Sequence, residues 1–257
     1  MEAQPTAEDR PDDSPFDLLP EAGGRAAALC LHGLTGTPYE VRPIAEALAD
    51  AGIRAFGPRL AGHGGTPERL AETPYTAWVE GVRQHYAALA AEADRVFVVG
   101  LSLGGLLSLD LAAEADVAGV VSIGAPLALS WPIPQAVPIV KYLMPMLPKR
   151  SGSDIRDPAA RARHPGLPTM PLKSVHELVR LQRSLRPSLG QITAPAFIAH
   201  GVHDHTARPA DAQKIFDRIG SEDKELLWLE NSAHVVPVDY DGPDLAERVA
   251  AFIAARL

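Results

Sequence analysis

From Ala26 onward, short apolar runs that end at glycine alternate with longer stretches whose apolar positions recur every three or four residues. AAALCLHG (26–33) is apolar throughout rather than alternating, which predicts a strand buried on both faces. PYEVRPIAEALADAG (38–52) sets Val41, Ile44, Ala45 and Leu48 at helical spacing and closes on Gly52, a helix stop. IRAFGPRL (53–60) predicts the next strand, followed by the glycine-rich loop AGHGGTPE. TAWVEGVRQHYAALAAEA (76–93) places Trp78, Val82, Tyr86 and Leu89 along one helical face. RVFVVG (95–100) predicts a strand, LGGLLSLDLAAEA (103–115) the helix that follows it at once, and VAGVVSIG (117–124) another strand.

That alternation stops at Ala125. Up to about Gln191 the chain is proline-rich (WPIPQAVPIV, YLMPMLPKR, RHPGLPTMP), with short helical stretches such as SVHELVRLQRSL. Strand and helix then alternate again through APAFIAHG (194–201), PADAQKIFDRI (209–219), KELLWLE (224–230) and DLAERVAAFIAARL (244–257). Parallel strands joined by crossover helices are the economical reading of such an order. The expected architecture is therefore α/β: a mostly parallel sheet with helices on both faces, made of residues 15–124 and 192–257. Residues 125–191 are expected as a cap or lid insertion. Residues 1–14 are expected as a mobile tail, since they offer little apolar surface to offset the entropy of ordering.

Charge and cysteine content narrow the function classes. The net charge of −8 carries no basic footprint for nucleic acid or an anionic membrane, so neither partner is expected. No apolar run reaches 18 residues, so no membrane-spanning helix is expected, and a cytoplasmic location follows by default. The single cysteine, Cys30, lies inside the first apolar run and reads as a buried core residue.

Chemistry enters with Gly100-Leu101-Ser102-Leu103-Gly104, between the strand RVFVVG and its helix. A serine at such a turn is thrust into the cleft by a cramped backbone, and flanking glycines are needed where strand and helix crowd it. The helix aims its N-terminal amides and dipole at an anion forming there. Acyl transfer also needs N–H donors for the tetrahedral oxygen. In hydrolases of this architecture these come from the residue after the nucleophile, here Leu103, and from a loop after an earlier strand, here Leu34 in His32-Gly33-Leu34-Thr35-Gly36. His32 is expected to brace that loop.

A serine hydroxyl needs a neighbouring imidazole, and the imidazole needs a carboxylate. In this fold the chain order is serine, acid, histidine. His234, in LLWLENSAHVVP, follows the last predicted strand. Asp204, in AFIAHGVHDHTARP, follows the penultimate one. Asp239 and Asp241 are rival acids but come after the histidine. The flanking His203 and His205 do not form a metal site with Asp204, because adjacent residues cannot easily converge on one ion. No metal and no cofactor are expected.

These segments together resemble bacterial carboxylesterases and monoacylglycerol lipases of the α/β-hydrolase superfamily. The likeness is carried by LHGLTGTPYEVRPIAEAL, RLAGHGGTPERL, VVGLSLGGLLSL, AHGVHDHTARP and NSAHVVPVDYD. The resemblance implies Ser102, Asp204 and His234 as the triad, Leu34 and Leu103 as oxyanion donors, and a structural role for His63. The expected activity is hydrolysis of short-to-medium-chain carboxylic esters or monoacylglycerols through an acyl-enzyme, with a small-molecule ester as substrate. An acyltransferase or amidase would use the same triad, and a non-catalytic ligand-binding protein of this fold is the third class. In the cap, Trp131, Ile133, Met144 and Met146 are expected to contact the acyl chain.

Overall fold

The computed structural model describes residues 11–21 and 25–257. In chain order the strands are β1 (Phe16–Leu18), β2 (Ala26–Leu31), β3 (Arg54–Gly57), β4 (Arg95–Leu101), β5 (Gly119–Ile123), β6 (Met146–Pro148), β7 (Thr169–Pro171), β8 (Ala196–Gly201) and β9 (Lys224–Leu229). The helices are α1 (Arg42–Asp50), α2 (Pro67–Ala71), α3 (Tyr75–Ala90), α4 (Leu103–Ala112), α5 (Ile133–Leu143), α6 (Pro158–Arg163), α7 (Leu172–Leu185), α8 (Pro209–Arg218) and α9 (Gly242–Ala254).

The main sheet has the order β1–β3–β2–β4–β5–β8–β9. β1 runs antiparallel to β3, and every other neighbouring pair is parallel. Both faces are covered, which is why the inner strands read as unbroken apolar runs. Ala27, Leu29 and Leu31 of β2 pack with Trp78 and Val82 of α3 and with Leu103 and Leu106 of α4. Ala28 and Cys30 point to the other face, against Ile44 and Leu48 of α1 and Leu245, Val249 and Ile253 of α9. Almost every residue of α4 is buried, so it is apolar all round.

Three features depart from the periodic pattern. The predicted helix over 38–52 begins as a 3-10 turn (Pro38–Val41) before α1, whose Pro43 sits in the first turn where a missing N–H is harmless. β1 is only three residues long, too short for a period, and is held by its pairing with β3. In the proline-rich insertion, Pro138 lies inside α5 and cannot donate to the Pro134 carbonyl; the Arg183 guanidinium donates to that carbonyl at 3.4 Å instead.

Residues 125–191 divide by their packing. α5 packs on α7 and β6 pairs with β7, Ile155 and the α6 residue Ala160 join the core on the α1 and α9 face, and Leu178, Leu181 and Leu185 of α7 belong to the main core beside α3 and α4. Of the expected tail, residues 1–10 lie outside the described residues. Residues 11–14 approach the core where Arg42 meets the Asp12 carboxylate at 2.9 Å and Arg59 donates to the Asp13 carbonyl at 2.9 Å.

The topology also fixes where a site can form. From β2 the chain crosses outward to β3 on one side and returns to β4 on the other, so the loops after β2 and β4 diverge and leave a crevice at the strands' carboxyl ends. The loop after β2 is HGLTG, and the turn after β4 holds Ser102.

Candidate active site

Ser102 occupies the turn between β4 and α4 at φ 56° and ψ −112°, a left-handed conformation that a serine adopts only under constraint. The constraint is close packing. A Cβ on Gly100 would lie 2.1 Å from the Gly104 carbonyl oxygen, and one on Gly104 would lie 2.1 Å from the Leu31 carbonyl oxygen. The Ser102 N–H donates to the Ile123 carbonyl at 2.8 Å, tying the turn to β5. Leu103 is the first residue of α4, so its N–H has no partner within the helix.

Sequence-distant groups converge on Ser102. His234 Nε2 lies 2.8 Å from Ser102 Oγ, and His234 Nδ1 donates to Asp204 Oδ2 at 2.7 Å. All three residues are buried. The Asp204 carboxylate is fully engaged: Oδ1 accepts from the Thr206 and Ala207 amides at 2.8 and 2.7 Å, and Oδ2 lies 2.9 Å from His200 Nε2. Burial alone would raise its pKa, but the His234 charge and the imidazole hydrogen bonds outweigh burial and hold the carboxyl well below the usual carboxylate range. For His234 burial disfavours the cation. The facing Asp204 charge and hydrogen bond outweigh it and raise the imidazole above its ordinary value.

The rival acids are occupied elsewhere. Asp239 accepts from the backbone amides of Arg156, Asp157, Ala233 and Tyr240, bracing the loop that carries His234. Asp241 accepts from the Asn231 amide and side chain. His32 donates from Nδ1 to the Gly33 carbonyl and accepts the Leu60 N–H at Nε2, so it braces the loop after β2. His63 packs edge-on against His32, and burial pushes its pKa down to about 3. Burial pushes the Cys30 thiol up to about 12, leaving it unreactive. Among the described residues, no three His, Cys, Asp or Glu side chains gather as a metal would require.

The loop after β2 lies beside the nucleophile: a Cβ on Gly33 would be 3.4 Å from Ser102 Cβ. Among the described residues, no protein acceptor takes the Leu34 N–H. The cavity over Ser102 and His234 measures about 160 Å³. Its apolar lining is Leu34, Pro126, Leu129, Met170, Leu178 and Val235; its polar lining includes Glu40, Lys149, Ser153, Asp154 and Thr206. A larger depression of about 880 Å³ opens at the opposite, N-terminal ends of the strands, around Arg95, Val117 and Pro195, far from any activated nucleophile.

The expected cap contacts are not brought into this cavity. Trp131 is 81% exposed, Ile133 and Met144 are also exposed, and Met146 is half-buried in β6. The methionine that lines the cavity is Met170, on the partner strand β7. Sequence reading missed Glu40, Lys149 and His200 as well. Glu40 carried a signal, because it continues the Ile44 and Leu48 stripe at a spacing of four, placing a carboxylate on a buried face. Burial raises the Glu40 pKa, but the His164 hydrogen bond, the neighbouring imidazoles and the Gly33 amide outweigh it and hold the carboxyl at about 2. For Lys149 and His200, periodicity offers no signal.

Comparison with known proteins agrees with this geometry. The family model described as serine aminopeptidase, S33, matches residues 23–241. A thermostable monoacylglycerol lipase of Bacillus sp. (strain H-257) is 37% identical over 232 residues, covering 90% of this chain and 91% of its own. A carboxylesterase of Bacillus subtilis (strain 168) is 28% identical over 232 residues, covering 90% of this chain and 93% of its own. A solved structure from work on two metagenome-derived lipolytic enzymes, LipS and LipT, superposes with a TM-score of 0.89 at 33% identity, over 96% of this chain and 99% of that one. A Ser–His–Asp constellation on a strand–turn–helix elbow, a doubly covered parallel sheet and these likenesses lead to one conclusion: the chain belongs to the serine aminopeptidase S33 family of serine hydrolases, within the α/β-hydrolase superfamily.

Proposed function

We propose that the chain is a serine carboxylesterase that hydrolyses short-to-medium-chain carboxylic esters or monoacylglycerols, with Ser102 as nucleophile, His234 as base and Asp204 as acid. The observation that carries this reading is the continuous hydrogen-bonded line from Ser102 Oγ through His234 to Asp204, at 2.8 and 2.7 Å. Ser102 Oγ attacks the ester carbonyl carbon while His234 Nε2 takes its proton. The new imidazolium is stabilised by Asp204, and the tetrahedral oxygen is received by the Leu34 and Leu103 amides. His234 then returns the proton to the leaving alcohol, giving an acyl-enzyme. Water, deprotonated by the same imidazole, attacks the acyl carbon and releases the acid.

The cavity supports a substrate with one apolar and one polar arm. Its size, about 160 Å³, falls below the roughly 300–1,000 Å³ of pockets for drug-sized ligands. Relatives named monoacylglycerol lipase and carboxylesterase agree with such a substrate. The matched family is described by a peptidase, and an aminopeptidase must receive a free ammonium. Here the cavity presents the Lys149 side chain, and Glu40 has both oxygens engaged, which favours a neutral ester. The same reading keeps residues 125–191 as a cap between core segments 15–124 and 192–257, with α7 as its root in the core.

Turnover of p-nitrophenyl esters of increasing chain length, 1-monobutyrylglycerol, emulsified triolein and an amino-acid p-nitroanilide tests the proposal. Turnover of the short esters and the monoacylglycerol, with little on triolein or the anilide, is expected. An enzyme inert to every ester, or equally fast on triolein and soluble short esters, refutes it.

A further inference from the structure

The loop after β2 holds a conformation that its own residues disfavour. Thr35 sits at φ 64°, in the left-handed region that a β-branched side chain enters only when its surroundings impose it. Thr35 directly follows Leu34, whose amide faces the nucleophile in the proposed mechanism. Two contacts that impose the conformation come from the cap. The Leu167 N–H donates to the Thr35 carbonyl at 2.8 Å, and Lys149 Nζ donates to Thr35 Oγ1.

A second line runs in parallel through two buried side chains, Glu40 and His164. Glu40 Oε2 accepts the Gly33 N–H at 2.8 Å, and Glu40 Oε1 lies 3.0 Å from His164 Nε2. His164 belongs to the cap, at the end of α6. Its Nδ1 accepts the Gly166 N–H at 3.2 Å and lies 2.9 Å from Ser153 Oγ, which assigns the ring proton to Nε2, facing the carboxylate. The His164 and Glu40 side chains are only 2% and 5% exposed, so the pair is shielded from bulk solvent. Ser153, His164, Glu40 and Gly33 thus connect the cap to the amide immediately before Leu34.

We propose that His164, acting through Glu40, is a positioning residue for the reaction: the cap fixes the oxyanion loop and so keeps the Leu34 N–H aimed at the developing anion. This rests on the esterase reading and on Leu34 as a donor. A misaimed donor weakens binding of the tetrahedral oxygen and leaves ground-state binding in the apolar arm unchanged, so the loss belongs to kcat and not to KM. If His164 only packed the cap, its removal would alter stability or KM and would not respond to relief of strain at Thr35.

The test compares full-length wild type, His164→Ala, His164→Gln and the double variant His164→Ala/Thr35→Gly on p-nitrophenyl butyrate, with Ki for a trifluoromethyl ketone that forms a hemiketal oxyanion on the nucleophile. His164→Ala is expected to lower kcat about tenfold, less than outright loss of an oxyanion donor, with KM held within about twofold. The ketone Ki is expected to rise in step. His164→Gln, whose amide N–H reaches the Nε2 position, is expected to recover most of the loss. Adding Thr35→Gly to His164→Ala is expected to raise kcat about threefold, since glycine enters the left-handed region freely. If His164→Ala does not fold, Glu40→Gln carries the test with nearly unchanged shape and the same expected fall in kcat. Unchanged kcat, a loss confined to KM, or a double variant no faster than His164→Ala overturns the inference. Wild type inert toward every ester overturns the esterase reading and this inference with it, whereas an active wild type matched by His164→Ala overturns the inference alone.

Discussion

The strands that carry the nucleophile and the insertion that covers it are built by different physics. Every residue of β2 is buried, and so is all of β4 except Arg95, with side chains alternating between two packed faces. The strand that ends at Ser102 is therefore held by apolar packing on both of its faces. The insertion leaves Trp131, Ile139, Tyr142 and Leu143 exposed. Its apolar anchors are Ile155 and Ala160 on the α1 and α9 face and Leu178, Leu181 and Leu185 of α7, and polar bonds tie the rest, among them Arg183 on the Pro134 carbonyl, Asp239 on the amides of Arg156 and Asp157, and Glu40 on His164. One region rests on continuous two-sided apolar packing, and the other on local apolar anchors joined by specific polar bonds. Proton transfer over 2.8 Å needs the first kind of support.

Breaking each region separately sharpens that contrast. The largest effect belongs to the charge relation inside the core: Asp204→Asn is expected to lower kcat about 10⁴-fold, because the amide no longer fixes the imidazole tautomer or stabilises the imidazolium. In the wild type only neutral His234 serves as base. Since Asp204 raises the His234 pKa, kcat/KM is expected to climb with pH through a midpoint above about 6.5, the ordinary imidazole value, and the residual limb of Asp204→Asn to lie lower. A pH–rate profile with its acid limb below that value contradicts the pairing.

Packing variants come next. Leu29→Ala, at a fully buried position of β2, is expected to destabilise the fold by about 2–5 kcal/mol in urea unfolding. Met170→Ala, which trims the cavity lining, is expected to leave stability nearly unchanged and to reduce the preference for butyrate over acetate esters about fivefold. Trp131→Ala is expected to shift stability by less than about 0.5 kcal/mol and to leave KM for soluble esters unchanged, since the ring is exposed outside the cavity. A large rise in KM for Trp131→Ala would move the acyl site out onto the cap.

The same contrast decides what was legible in the sequence. β2, β4, β5 and β8 announced themselves, because two-sided burial demands continuous apolar runs. Ser102, Asp204 and His234 followed because each closes such a run at the same edge of the sheet. The cap was legible only as a break in period. β6 and β7 are three residues each and are set by mutual pairing, which leaves no periodic trace. Trp131, Ile133, Met144 and Met146 are apolar, but without a period in the segment their sequence carries no sign of which way each side chain faces. Ile133 on α5 and Trp131 and Met144 beside its ends face outward, Met146 is half-buried in β6, and Met170 reaches the cavity from β7. Glu40 and His164 are 124 positions apart, and only the fold brings them together.

The central claim is that one serine, held at that elbow, forms the acyl-enzyme. Treating wild type with a fluorophosphonate and locating the adduct by mass spectrometry, alongside Ser102→Ala, tests it most directly. The account predicts a single adduct on the Ser102 peptide, loss of p-nitrophenyl butyrate hydrolysis in proportion to labelling, and no label and no activity in Ser102→Ala. A stoichiometric adduct on another residue, or full activity in Ser102→Ala, would contradict it.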